Sequence, residues 1–208
     1  MLQGIETKAI GAEPPARCRS SAARRALLAR ASDLGVPRGY ARARRLRLQR
    51  EPARLAAIGT DVYGRTQWLQ PRAAGALAAL RQAALRDGVV LEVVSAFRSI
   101  EYQLGILQRK LARGQPMAAI LRVSAAPGYS EHHSGRCVDL TTPGFAPLEE
   151  TFEQSRAFAW LTRHAATFGF ALSYPRGNPH AFAYEPWHWC WHAQRAGAAP
   201  ATSTTRHK

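Results

Sequence analysis

The stretch YSEHHSGRCVDL, residues 129–140, carries four side chains that could ligate a metal: His132, His133, Cys137 and Asp139. Imidazole nitrogen and carboxylate oxygen suit a borderline cation such as Zn²⁺. If residues 136–140 form a strand, Cys137 and Asp139 share one face and Arg136 and Val138 take the other. His132 lies before Gly135, in a turn, so its ring can fold back toward Asp139. An isolated His/Asp pair is more often a hydrogen-bonded surface pair. Read alone, the stretch does not choose among its candidates.

A second stretch, YEPWHWCW at 184–191, separates Glu185 from His188 by two residues. In an extended strand Trp187, Trp189 and Trp191 face the core and His188 faces away. That alternation nominally puts Glu185 with the tryptophans, and Pro186 can break it and let Glu185 approach His188. A glutamate beside a metal ligand can act as general base on a metal-activated water. Catalytic zinc needs three protein ligands and an open position, whereas structural zinc is closed by four. His132, Asp139 and His188 supply three. Arg98, in SAFRS, stands between a strand pattern and a helix pattern, where a cation can hold a developing oxyanion. Its plainer reading is a helix-start arginine bound to a carboxylate.

These residues need a scaffold, and the patterning supplies one. SAARRALLARAS at 21–32 can form a short helix. PRAAGALAALRQAALRDG starts with Pro71 and stops at Gly88, with Leu77, Leu80 and Ala84 on one face. VVLEVVSAF is a β-branched run and reads as a buried strand. The next helix has Ser99 as N-cap, Glu101 in its first turn and Gly114 as its stop, and PMAAILRV suggests another. EETFEQSRAFAWLTRHAATFG reads as one strong helix, with Trp160, Leu161, His164 and Phe168 among its apolar stripe. FALSY and YEPWHWCW read as final strands, and IGTDVYGRTQWLQP as turns holding aromatic anchors. Helices and strands mix without βαβ regularity, which predicts an α+β domain. The expected organisation is a flexible start at 1–19, a basic helical or irregular extension at 20–54, a catalytic domain at 55–195 and a disordered tail at 196–208.

Composition bounds the partners. The 208 residues carry a net charge of +15, with the densest run RGYARARRLRLQR at 38–50. Arginine clusters neutralise phosphates, but no nucleic-acid motif and no interleaved aromatics accompany ARARRLRLQR, so a solvated basic face is favoured. No run of about 18 apolar residues predicts a membrane span, and no secretory signal is visible at the N-terminus. Three cysteines are too few for a disulfide scaffold, and no CxxC pair suggests a thiolate zinc site.

SAFRSIEYQ, PGYSEHHSGRCVDL and YEPWHW occur in this order and at familiar separations. Together they resemble the zinc D-alanyl-D-alanine carboxypeptidases of the VanY-like type, over roughly residues 55–192. Three motifs in order are far more specific than any one of them. The resemblance implies a small antiparallel sheet with helices packed around it and one zinc ion in a cleft on the sheet. It implies His132, Asp139 and His188 as zinc ligands, Glu185 as catalytic base and Arg98 as transition-state stabiliser. Gln103 is implied to hold the substrate's terminal peptide, with Ser130 close by. The implied substrate is the peptidoglycan stem peptide. That argues for the cell envelope or periplasm, with the cytoplasm as the alternative because no signal is seen. An L,D-carboxypeptidase, a murein endopeptidase or a non-catalytic zinc-containing binding module are the competing readings.

His133 fills a variable position of the pattern and is expected at the cleft rim or in solvent; His164 is expected as a hydrogen-bonded core residue, and His180 and His192 as peripheral. Cys137 and Cys190 are expected to be small buried hydrophobes. A disulfide between them, or Cys137 as a fourth ligand, are the less favoured alternatives.

Overall fold

The structure, a computed structural model, describes residues 13–193. The tail at 196–208 and residues 1–12 of the expected flexible start lie outside the described residues. In chain order the elements are α1 (Ser21–Asp33), α2 (Tyr40–Ala43), β1 (Ala56–Thr60), β2 (Thr66–Leu69), α3 (Pro71–Arg86), β3 (Glu92–Ser95) and α4 (Ile100–Ala112). They continue with α5 (Met117–Val123), β4 (Cys137–Thr141), α6 (Arg156–His164), β5 (Phe170–Leu172) and β6 (His188–Trp191). The strands form two small antiparallel sheets, a β1–β2 hairpin and a four-stranded sheet in the order β3-β4-β6-β5.

The four-stranded sheet separates the core from the chemistry. Val138 and Leu140 of β4 and Trp189 of β6 point into the main core, against the α3 face of Ala73, Leu77, Leu80 and Ala84. The core also takes Phe152, Trp160 and Leu161 from the region around α6. Burying a leucine or larger side chain is worth roughly 2 kcal/mol, so this face fixes the sheet. Cys137, Asp139, His188 and Cys190 then necessarily lie on the opposite face. Trp187 and Trp191 pack against the core, as alternation predicts.

Two segments differ from the sequence expectation. IGTDVYGRTQWLQP is a hairpin rather than a set of turns. Asp61 closes it by accepting from Tyr63 N, Arg65 N, Arg65 Nε and Gln67 Nε2. The expected single helix over 149–168 is three pieces: a 3-10 turn at Glu150–Gln154, α6, and a 3-10 turn at Ala165–Phe168. Ser155 is the reason for the first break. Its extended backbone and its Oγ, which accepts from Phe158 N at 3.0 Å, start a new helix.

Residues 20–54 press against the site motif. Glu51 accepts from Ile100 N at 2.5 Å and also from Cys18 N, so it joins Ser99 in capping α4. Gly128 and Gly135 have positive φ, and a Cβ on Gly128 would meet Leu28 Cδ2 at 2.5 Å and Leu48 Cδ1 at 3.0 Å. At Gly135 it would meet Pro52 Cγ at 3.0 Å. The loop that carries the histidines is therefore held from outside by this basic segment.

Candidate metal centre

β4 and β6 pair so that Asp139 stands directly opposite His188. Backbone bonds run from Leu140 N to Trp187 O and from Trp191 N to Arg136 O. That alternation makes Asp139/His188 a pair whose side chains lie closest. His132 arrives from a 3-10 turn, Glu131–Ser134, ended by left-handed Gly135. His132 Nε2 lies 3.2 Å from Asp139 Oδ2, and His188 Nδ1 lies 2.9 Å from Asp139 Oδ1. The ligand atoms of all three groups lie within 4.8 Å of one another, and all three residues are buried. Sequence reasoning placed these together and the structure does too.

The chemistry of these donors fits a cation. His132 Nδ1 donates to Ala96 O at 2.6 Å. Burial, with Arg98 nearby, pushes the ring down to a pKa of about 4, so it is neutral near pH 7. Its Nε2 lone pair then faces a carboxylate oxygen at 3.2 Å with no proton between them. Two acceptors so placed repel unless a positive ion sits between them. His188 is fixed in the complementary way, with Nε2 donating to Glu131 Oε2 at 3.1 Å. Burial would lower the pKa of this ring, but Asp139 and Glu131 outweigh burial and raise it to about 10. The pocket thus attracts positive charge, here that of the imidazolium. Asp139 sits well below the usual carboxylate range, because His132 and His188 outweigh its own burial. Metal-binding histidines commonly donate their other nitrogen to a carbonyl or carboxylate, as Ala96 O and Glu131 allow here.

Glu185 is not in the strand. His188 N donates to Glu185 O at 3.1 Å, so Glu185–Pro186–Trp187–His188 is a turn with proline at its second position. The turn brings Glu185 to the His188 side, the outcome expected of Pro186. Glu185 lines a cavity of about 400 Å³ with His132, Asp139, His188, Arg98 and Gln103. Burial, together with Asp139 and Glu131, pushes its carboxyl up to about 7, despite His188 and Arg98.

Arg98 and Gln103 reach the same cavity with polar atoms unspent. Arg98 Nε and Gln103 Oε1 are buried without a hydrogen-bond partner. Gln103 Nε2 donates to Ser124 Oγ and Ala125 O at 3.0 and 2.8 Å, which leaves its carbonyl as a free acceptor. Buried unpaired polar groups are rare in native proteins and point to a missing ligand or water. Ser130 also lines the cavity.

His133 is a correction. It is fully buried, not at the rim. Its Nδ1 donates to Arg98 O at 2.6 Å, and its Nε2 accepts from Gly128 N at 3.1 Å. Adjacent histidines thus brace one loop, His132 at Ala96 O and His133 at Arg98 O. His164 is half-buried, its ring 4.8 Å from that of Trp160. His180 is half-buried with Nδ1 donating to Arg44 O at 2.9 Å, and His192 is exposed. Cys137 and Cys190 are also corrected: they form a disulfide across β4 and β6. It occupies the close-paired rung next to Asp139/His188 on the same face, so Cys137 is no fourth ligand in this state.

Three contributors were missed in the sequence. Glu131 orients His188; its signal was an acid inside the motif itself. Burial would raise its pKa, but His188 and Ser173 bring it down to about 2. Tyr174 stacks on His188 with centroids 4.7 Å apart at 18°. Lys110 lines the cavity, and burial, with Arg98, lowers its pKa. Its signal was the spacing: Gln103 and Lys110 are two helical turns apart on one face of α4.

Two buried imidazoles, a carboxylate and a nearby glutamate of raised pKa are the equipment of a metal-dependent hydrolase. Residues 66–194 match the family model for VanY, D-alanyl-D-alanine carboxypeptidase, and the chain belongs to that family. A D-alanyl-D-alanine carboxypeptidase of Enterococcus faecalis (strain ATCC 700802 / V583) is 32% identical over 120 residues, which are 53% of this chain and 43% of that one. The chain spans less than half the length of the curated relatives it matches. The LdcB LD-carboxypeptidase structure aligns with a TM-score of 0.61 and 28% identity, covering 68% of this chain and 69% of that one. A vancomycin resistance D,D-pentapeptidase VanY variant in complex with Zn(II) aligns with a TM-score of 0.53 and 28% identity, covering 69% and 85%.

Proposed function

We propose that the chain is a zinc-dependent carboxypeptidase that removes the terminal D-alanine of peptidoglycan stem peptides. One observation carries this reading: His132 Nε2 and His188 Nδ1 converge on the Asp139 carboxylate at 3.2 and 2.9 Å, in a cavity shared with Glu185. The Zn(II) complex of the VanY relative supports the choice of ion. One zinc ion held by His132 Nε2, Asp139 and His188 Nδ1 would supply Lewis-acid polarisation and a water of lowered pKa.

The chain's own groups do the rest. Glu185, with a pKa of about 7, takes the proton from the attacking water and returns it to the departing amine of D-alanine. Arg98 donates its unspent Nε–H to the oxygen on which charge develops. Gln103 Oε1 accepts from a peptide N–H of the substrate. Ser130 borders the same cavity as a further polar contact to the substrate. Lys110 and Arg98 place two basic side chains in a lining that also holds Asp139, Glu149, Glu150 and Glu185, and pairing of one of them with a free terminal carboxylate would favour exo- over endo-cleavage. No side chain needs to form a covalent intermediate.

The polymer lies outside the cytoplasm, and the Cys137–Cys190 disulfide is at home in an oxidising compartment, so the reading places the chain in the cell envelope. Among the described residues no helix is long and apolar enough to cross a membrane. The LdcB alignment favours one second reading, L,D-cleavage of a shortened stem peptide. The test is metal analysis with D-alanine release from defined pentapeptide and tetrapeptide, with and without chelator. Chelator-sensitive release from the pentapeptide is expected. Release from the tetrapeptide alone selects L,D-cleavage, and a bound zinc with no release from either refutes the peptidase.

A further inference from the structure

The Cys137–Cys190 disulfide adjoins the ligand pair Asp139/His188 on one sheet face. Cys190 Sγ lies 3.1 Å from Glu131 Oε2 and 3.4 Å from His188 Nε2, and those two atoms are 3.1 Å apart. One ligand atom from each of Glu131, Cys137, His188 and Cys190 falls within 4.8 Å of all the others. Both cysteines and His188 are buried, each no more than 2% exposed.

A tetrahedral ion with bonds of about 2.0 Å to N or O and about 2.3 Å to S has edges of about 3.3 Å between N and O and about 3.5 Å between N and S. The N–S and N–O distances are within about 0.2 Å of those edges, and the S–O distance of 3.1 Å must lengthen by about 0.4 Å to reach its edge of about 3.5 Å. The bonded sulfurs must separate to about 3.8 Å, and Cys137 Sγ, within 4.8 Å of the other ligand atoms, must settle at the remaining corner by side-chain rotation. We propose that the reduced chain has a second metal site, built from Cys137 Sγ, Cys190 Sγ, His188 Nε2 and Glu131 Oε2, for a thiophilic divalent cation such as Zn²⁺.

The site shares His188 with the first centre, one ring nitrogen to each. It does not rest on the peptidase reading. The step that opens it is a reduction: a dithiol reductant gives two electrons and two protons to the disulfide and leaves as its own cyclic disulfide. Cation binding then releases the two thiol protons and the proton on His188 Nε2. Two thiolates, one imidazole and one carboxylate are a donor set that zinc and cobalt accept. In the oxidised chain the same cation finds no thiolate.

Co²⁺ titration of the full chain tests this, before and after treatment with a dithiol that is then removed under anaerobic conditions. A thiolate-to-cobalt charge-transfer band is expected only in the reduced protein, saturating one equivalent of Co²⁺ beyond what the oxidised protein binds. The first centre contains no sulfur and cannot give that band, so its failure would be seen separately as loss of the equivalent bound by oxidised protein. Cys137→Ser/Cys190→Ser should abolish the band, and Cys18→Ser should leave it unchanged. Cys137→Ala/Cys190→Ala is the second variant, since buried hydroxyls could unsettle the first. Absence of the band in reduced protein overturns the proposal. So does its survival in both double variants, its loss in Cys18→Ser, or collapse of the near-ultraviolet circular dichroism of the wild type on reduction.

Discussion

Replacing Glu185 by glutamine separates two consequences of one half-buried carboxyl. In the metal-free protein its pKa is raised from 4.5 to about 7, chiefly by burial. The folded chain therefore holds a proton that the unfolded chain releases between those values, and its stability falls as pH rises through that window. At ~1.4 kcal/mol for each tenfold change in proton affinity, the penalty reaches about 3 kcal/mol above pH 7. Glutamine keeps the shape and carries no charge. Urea unfolding of chelator-treated wild type and Glu185→Gln should agree near pH 4. At pH of about 8 the variant should be the more stable by about 3 kcal/mol. The zinc-loaded variant should keep its metal and lose about 10²- to 10⁴-fold in D-alanine release. Near-normal turnover would refute Glu185 as the base. An unchanged stability gap across the pH range would refute its raised pKa.

Other substitutions probe the remaining parts. His188→Ala and His132→Ala should each lose zinc and activity together, read by metal analysis on purified protein. Glu131→Gln should weaken zinc binding by about 10- to 100-fold, because it orients His188 from behind, and competition with a chelator measures this. His133→Ala leaves Arg98 O and Gly128 N without partners and should cost roughly 2–4 kcal/mol in thermal or urea unfolding. Lys110→Ala should raise KM for a substrate with a free terminal carboxylate and leave KM for the amidated analogue little changed, which steady-state kinetics on the two would show.

The candidate metal centre was legible as a cluster because its parts have chemical signatures. Histidine, aspartate and glutamate at close spacing are few enough to enumerate, and strand alternation puts Asp139 and His188 off the tryptophan face. The three-piece region over 149–168 was less legible. Its apolar stripe continues across Ser155, and whether that serine caps a helix or rides on one depends on the backbone around it. The β1–β2 hairpin was hidden because Asp61 and Gln67, not an apolar alternation, hold its turn. His133 was misplaced for a related reason. Two adjacent imidazoles look alike in sequence, and only the carbonyls of Ala96 and Arg98, more than thirty residues away, give each its direction.

By itself the sequence determined the donor types, their order along the chain, the helix-start cap at Ser99 and the faces of β4 and β6, because these follow from local spacing and backbone period. The tertiary structure decided which atoms meet. It set Asp139 opposite His188 and Cys137 opposite Cys190, turned Glu185 into the cavity through Pro186, and gave the second nitrogen of His188 to Glu131. Those choices depend on the register between distant strands and on burial, which no local pattern contains. Cys137, the ambiguous member of the 129–140 stretch, is joined to Cys190 by that register.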